Sequence, residues 1–248
     1  MFNLFKRSPL VSDVKWIGVD MHSHLLPGID DGSPDLETSI SYISQLNELG
    51  YSKFICTPHI FKEIHPNSRE TILPALQAVK NALVERGIDV EITAAAEYMI
   101  NTDFDPLMES DDLMVLNGKR VLIEMSYMFE SYDIEKYIFN LRMKGYTPIL
   151  AHPERYVYYH QDYERYHRFI DMGCLMQVNL LSLSGYYGKG IKTIALKLIK
   201  ENMIDLIGTD FHNIRHLQAI NDFVKSGAAY NLIGKYPFKN MQFFGDNL

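Results

Sequence analysis

Seven short aliphatic runs, separated by longer amphipathic stretches, set the strongest limit on what this 248-residue chain can fold into. They occupy residues 16–20, 53–57, 91–95, 120–124, 148–151, 175–179 and 205–208. Each is almost continuously apolar, as a strand covered on both faces requires, and the segments between them have the length and periodicity of helices. Alternation of this kind predicts successive βα units around a parallel sheet. The length suits one α/β barrel around a single core.

Helix signals punctuate the intervals. Ser33 before Pro34, with Asp35 and Glu37 behind, predicts a capped helix start, and Gly50 its end. Further helices are expected over residues 69–86, 134–144, 163–172 and 191–202, the first three each followed by a glycine. The expected organisation is an N-terminal extension at 1–15, one barrel domain at 16–227 and an aromatic C-terminal tail at 228–248. The apolar run of Phe2, Leu4 and Phe5 beside Lys6 and Arg7 is too short for a signal peptide and reads as a loosely docked terminus with at most weak membrane contact.

Composition narrows the function. Lys and Arg number 24 against 31 Asp and Glu, a formal charge of −7 with no basic block, which argues against a nucleic-acid-binding protein and requires local cations or metals for any phosphorylated substrate. Cys56 and Cys174 form no CxxC pair, so a reducing cytoplasm is expected. Neither cysteine has an arginine six positions on, which removes the thiolate phosphatase pattern. Serine-hydrolase elbows, Walker loops and dinucleotide fingerprints are also absent.

Chemistry concentrates at the strand ends. The first run ends in Asp20-Met21-His22-Ser23-His24 and the second in Thr57-Pro58-His59; Glu97 follows the third and Glu124 ends the fourth. His152-Pro153-Glu154-Arg155 follows the fifth, and Asp210-Phe211-His212 the seventh. In a parallel barrel those ends converge on one mouth. Mixed imidazoles and carboxylates without thiolates suit divalent zinc, iron or manganese, and the His-x-His pair turns both rings to one side of the strand. His65, His160 and His167 are read as ordinary core or surface histidines, and His216 is left open. The glycine-rich stretch at 185–190 is expected to be a loop over the mouth.

The segments DMHSHLLPGIDDGS, TPH, LIE, AHPER and TDFHN, in that order, resemble the PHP (polymerase and histidinol phosphatase) superfamily. LPGIDDGS, KGYTPILAHPER and LSLSGYYGKG single out its CpsB/CapC branch, the manganese-dependent protein tyrosine phosphatases of bacterial capsule and exopolysaccharide loci, from about Val19 to about Phe223. The resemblance implies a distorted (β/α)7 barrel carrying three divalent ions. It assigns His22, His24, Glu97 and Asp210 to the first ion. Glu97 bridges to a second with Glu124 and His152, and Asp31, His59 and His212 hold a third. Asp31 is preferred to Asp30 because it fills the DDG step.

By the same resemblance Arg155 and an arginine after the DxH step, here Arg215, grip the phosphate, and His59 or Asp210 protonates the leaving oxygen. The chain departs from the branch where Tyr98 replaces the arginine after the bridging glutamate, and Arg215 lies closer than usual. Tyr98, Tyr127 and Tyr156 are alternative walls of a phenol pocket, with packing the default for each. The implied reaction is direct attack of a metal-bridging hydroxide on phosphotyrosine of a protein, a bacterial tyrosine kinase controlling polysaccharide export. Rival readings are a histidinol-phosphate phosphatase, a non-catalytic metal-binding module and, weakest, a nucleic-acid phosphodiesterase.

Overall fold

The computed structural model describes residues 10–245. The apolar residues Phe2, Leu4 and Phe5 lie outside them. Nine strands form two wholly parallel sheets, one ordered β1-β2-β4 and the other β3-β5-β6-β7-β8-β9. The first sheet comprises β1 (Val19–Ser23), β2 (Lys53–Cys56) and β4 (Glu91–Ala94). The second comprises β3 (His59–Ile60), β5 (Glu97–Met99), β6 (Arg120–Glu124), β7 (Thr147–Ala151), β8 (Leu175–Asn179) and β9 (Leu206–Gly208).

Six of the seven expected strands lie where the sequence placed them; the first is shifted to Val19–Ser23, with Trp16 and Ile17 in a turn before it, and the two extra strands are continuations. After Cys56 the chain is interrupted at Thr57 and Pro58 before β3, and after Ala94 at Ala95 and Ala96 before β5. Backbone bonds run on through both interruptions, from Ala95 N to Cys56 O at 2.9 Å and from Glu97 N to Pro58 O at 3.1 Å. The sheets meet again on the other side, where Asp210 N donates to His22 O at 2.8 Å and His24 N to Phe211 O at 2.9 Å.

Helices cover the strands: α1 (Leu36–Glu48), α2 (Arg69–Glu85), α3 (Phe104–Ser110), α4 (Ile134–Met143), α5 (Glu164–Asp171), α6 (Leu180–Ser184), α7 (Lys189–Lys200), α8 (Ile214–Lys225), α9 (Ala228–Ile233) and α10 (Asn240–Phe244). The start of α1 corrects the sequence reading. Its cap is Asp35, whose carboxylate accepts from Thr38 N at 2.8 Å, while Ser33 is buried and its N–H donates to His24 O at 3.0 Å. Ser33 thus ties the following loop to the first strand end.

The core has two layers, as strand alternation dictates. One cluster, including Met21, Ile55, Leu122, Ile149 and Leu206, lies apart from the large cluster shared with the helices. Leu116 and Phe244 belong to the smaller cluster, and Arg120, at the amino end of β6, stacks its guanidinium 3.7 Å from the Phe243 ring centroid. The aromatic tail therefore closes the end of the strands opposite their carboxyl termini. Buried Asn240 joins the seam between the sheets: its Nδ2 donates to Val19 O at 2.9 Å and Ile207 O at 2.7 Å, and its Oδ1 accepts from Ile207 N at 3.0 Å. Gly208 permits the same approach, since a Cβ there would stand 2.7 Å from His22 Cβ.

Candidate metal centre

The strand carboxyl ends bring the expected ligands together. Donor atoms of His22, His24, Glu97 and Asp210 lie within 4.8 Å of one another, as do those of His24, Asp31, His59 and His212, and those of His59, Glu97 and Glu124. Glu97 is central. Its Oε2 is 3.2 Å from His22 Nε2, 3.4 Å from His24 Nε2 and 3.2 Å from His59 Nδ1, and its Oε1 is 3.1 Å from His152 Nε2. His59 faces two groupings at once, with Nδ1 2.8 Å from Glu124 Oε1 and Nε2 3.5 Å from Asp31 Oδ1. His152 reaches Glu97 but stands 4.0 Å from Glu124 Oε2, outside the tightest sets.

Burial and charge fix the protonation pattern. Burial works against charge on Glu97, yet His22 and His59 beside it hold its carboxyl well below the usual range. Asp210 is likewise buried and held low by His22 and His212. Burial opposes protonation of His59, and His24 does too, but Glu124 and Glu97 push its imidazole up to about 9. Such a core of facing acids and bases is costly to bury unless each group is paired or metal-bound.

Two observations favour ions at this place. Glu97 Oε2 and His59 Nδ1 are buried and make no well-aligned hydrogen bond although basic or acidic atoms stand within reach, the condition of lone pairs aimed at a cation. The outer nitrogens of the His-x-His pair are also held: His22 Nδ1 lies 2.7 Å from Gln177 Oε1 and His24 Nδ1 2.8 Å from Asp30 Oδ2. Those bonds leave both Nε2 atoms facing the cluster, the usual arrangement behind imidazole ligands. Asp30 and Asp31 thereby divide the work. Asp30 faces His24 and accepts from Gly32 N at 3.0 Å, while Asp31 Oδ1 points to His59 and His212, 3.5 Å from each Nε2. Gly32 is needed there because any Cβ would overlap the His24 carbonyl.

Backbone strain is confined to few residues, and two are in the cluster. His152 and Asp210 have φ of 35° and 51°, a left-handed conformation that β-carbons disfavour and that functional sites often retain.

A cavity of about 390 Å³ opens over the cluster, with Asp31, His59, Glu124, Arg155, Asp210 and His212 among its lining residues. Arg155 Nη1 donates to Asp210 Oδ2 at 2.8 Å, and its guanidinium lies between two aromatic faces, 4.3 Å from the Tyr127 centroid and 4.4 Å from that of Tyr187. Arg215 is not brought here. It is exposed on the first turn of α8, outside the cavity lining, because the Asn213 side-chain cap accepting from Arg215 N and His216 N starts the helix at that point.

Some residues behave differently from the sequence reading. Tyr98 and Tyr156 are buried away from the cavity, their hydroxyls accepting from Met114 N and Met125 N at 2.6 and 3.0 Å, so packing is their role. Tyr127 does line it. His65 lies in the loop before α2, on the cavity wall, its ring stacked on His59 at 5.3 Å. The assumption of a nearby helix hid it. His216 also lines the cavity; burial and then His212 lower it to about 4, and its neutral Nδ1 accepts from His212 N at 3.2 Å. His160 bonds Glu154 O and His167 is exposed on α5, as read. The stretch expected over the mouth is a turn at residues 185–188 that leads into α7, and the sequence does not distinguish Tyr187, which lines the cavity, from Tyr186, which does not.

Parallel βα units with an acidic and imidazole cluster at the strand carboxyl ends, an arginine poised over it and both cysteines buried, their thiols pushed up to about 12 by burial, define a metal-site hydrolase architecture rather than a cysteine enzyme. Residues 18–224 match the family model described as capsular polysaccharide synthesis, CpsB/CapC, and the chain belongs to that family. It is 28% identical over 198 residues to tyrosine-protein phosphatase YwqE of Bacillus subtilis, covering 79% of this chain and 78% of that one. It is 29% identical over 202 residues to tyrosine-protein phosphatase CpsB of Streptococcus agalactiae, covering 79% and 83%. The fold superposes with a TM-score of 0.77 and 25% identity on a crystal structure reported among those of YwqE from Bacillus subtilis and CpsB from Streptococcus pneumoniae, described as metal-dependent tyrosine phosphatases, covering 93% of this chain and 96% of that one.

Proposed function

We propose that this protein is a metal-dependent phosphatase that hydrolyses phosphotyrosine on proteins. The observation that carries the reading is Arg155, fixed between Tyr127 and Tyr187 directly over the carboxylate and imidazole cluster. Similarity to relatives named as tyrosine-protein phosphatases supports it. The two sheets are read as one distorted (β/α)7 barrel, supported by the hydrogen bonds joining β1 to the Asp210 segment and by the way β2 runs into β3 and β4 into β5.

Three divalent ions, manganese first among the candidates and iron or zinc next, are proposed for the centre. His22, His24, Glu97 and Asp210 would hold one, Glu97, Glu124 and His152 a second, and Asp31, His59 and His212 a third. When bound, such ions neutralise a phosphomonoester dianion and make a water nucleophilic near neutral pH. The chain supplies the rest. The planar fork of Arg155 can pair two phosphate oxygens, and the flanking rings restrict it to one orientation, so little ordering is left for the moment of reaction. Asp210 holds that fork from behind through Oδ2, and Asn179 Nδ2 donates to the same oxygen at 2.6 Å. A phenolate leaves more readily than an alkoxide and so needs little help from a general acid; His59, on the cavity wall with Nε2 toward Asp31 and Nδ1 toward Glu124, serves as a ligand rather than a proton donor.

The proposed substrate is a tyrosine-phosphorylated bacterial tyrosine kinase regulating capsular or exopolysaccharide synthesis, supported by the family description. The cytoplasm is the proposed compartment, in keeping with two free, buried cysteines. Among the described residues no helix is long and apolar enough to cross a membrane. The test is phosphate release from a phosphotyrosine peptide beside histidinol phosphate and a DNA strand. Turnover confined to the peptide is expected, and preference for either other substrate would overturn the assignment.

A further inference from the structure

A second depression adjoins the catalytic cavity, and the proposed phosphatase reading gives it no role. It encloses about 620 Å³ between the β5–α3 and β6–α4 connections. Phe61, Met99 and Tyr127 line both spaces, so the two adjoin. The far wall is apolar and unusually exposed: Met128 is 85% and Phe129 68% accessible, and Tyr132 just beyond them is fully exposed. Large apolar side chains clustered in one loop beside a site are unfavourable to leave in water and mark a surface that another chain covers.

Position indicates which chain. Arg155 fixes the place of the phosphate, and Tyr127, stacked on that guanidinium, stands between it and the groove. A tyrosyl side chain reaching down to Arg155 leaves its own backbone at the cavity mouth, so residues next to it in sequence must pass over one of the rims. The rim formed by Met128 and Phe129 carries the most exposed large apolar side chains beside the site, over a floor in which Met99 and Ile100 alternate with polar residues such as Asn101 and Asp103. Met99 on that floor and Met128 on the rim are unbranched and adapt to differing partners.

Resting on the phosphotyrosine reading, we propose that the substrate segment flanking the phosphotyrosine lies in this groove and seats a large apolar side chain against Met128 and Phe129. Selection among phosphoproteins would then be made outside the metal centre, by side chains that touch no ligand.

The test is steady-state kinetics on three substrates: p-nitrophenyl phosphate, which has no flanking residues, a phosphotyrosine peptide with leucines beside the phosphotyrosine, and the same peptide with aspartates there. The wild-type protein should show a KM for the leucine peptide roughly tenfold below that for the aspartate peptide. The double substitution Met128→Asp with Phe129→Asp, and the milder Met128→Ser with Phe129→Ser, should remove most of that difference while keeping p-nitrophenyl phosphate turnover within about twofold. Equal KM values for the two peptides in the wild type would overturn the proposal, as would variants that slow all three substrates alike. A wild-type protein inert on every phosphotyrosine substrate would overturn the phosphatase reading and this one with it, an outcome distinct from aryl phosphate turnover that ignores the flanking residues.

Discussion

Arg155 and Asp210 are joined by a 2.8 Å hydrogen bond that uses only one carboxylate oxygen, Oδ2, and leaves Oδ1 facing His22, His24 and His212 at 3.5 Å from each. One residue thus links the phosphate grip to the metal cluster. Asp210 sits in a left-handed backbone conformation to do so, and the geometry couples the position of the guanidinium to that of the first ion.

Arg155→Lys keeps the charge and loses the fork and the stacking on Tyr127 and Tyr187. The expected loss in kcat/KM is about 100-fold, the scale of removing one transition-state donor. Tyr187→Ala, which frees the guanidinium on one side, should cost less, roughly tenfold. Steady-state assays on a phosphotyrosine peptide check both, and an Arg155→Lys enzyme of wild-type efficiency would refute the grip.

Asp30 acts through His24. Asp30→Asn removes the carboxylate that orients the His24 ring, so divalent-ion affinity should fall about 10- to 100-fold with the ligand set intact. Titration calorimetry on the metal-free protein reads this directly. Unchanged affinity would mean that the Nδ1 contact has no bearing on the cluster.

The metal-free and metal-loaded proteins should respond to pH in opposite directions. Without ions, the carboxylates around His59 raise it from 6.5 to about 9. A folded value above the unfolded one contributes stability that is complete below about pH 6.5 and is lost as pH climbs through about 9. Ion binding requires neutral imidazoles and ionised carboxylates, so it strengthens over the same window. Thermal midpoints measured with chelator should fall from pH 6.5 to 9, and those with manganese should hold or rise. Parallel curves would contradict the assignment of His59 to the centre.

Asn240→Ala leaves the Val19 and Ile207 carbonyls and the Ile207 N–H without partners in the seam between the sheets. Buried unsatisfied groups cost about 1–3 kcal/mol each, so a loss of at least about 2 kcal/mol is expected in urea unfolding. A loss within about 0.5 kcal/mol, typical of a surface change, would mean that the tail is not integral to the fold.

Strand ends were the legible part of the sequence, because strands buried on both faces read as continuous apolar runs and the His and acid residues that follow them stand out. The ligands proposed from DMHSH, TPH, AHPER and TDFH converge for that reason. Asp31 was separated from Asp30 by the DDG step, and the structure turns the two carboxylates to different imidazoles. The short strands β3 and β5 were not legible, being two and three residues after interruptions in longer runs. Helix α6 follows β8 without a break, so no turn residue announced it. His65 and Tyr187 reach the cavity through loops whose course depends on tertiary packing, while Arg215, placed by motif spacing, is carried outward by the Asn213 cap.

The most direct test of the central claim is to strip the protein with chelator, remove the chelator, and follow phosphate release from a phosphotyrosine peptide as manganese is restored, with Asp210→Ala alongside. Activity that disappears on stripping, returns with manganese and stays absent in Asp210→Ala is the expected result. Turnover that survives stripping, or that Asp210→Ala retains, would contradict a metal-dependent phosphatase centred on these residues.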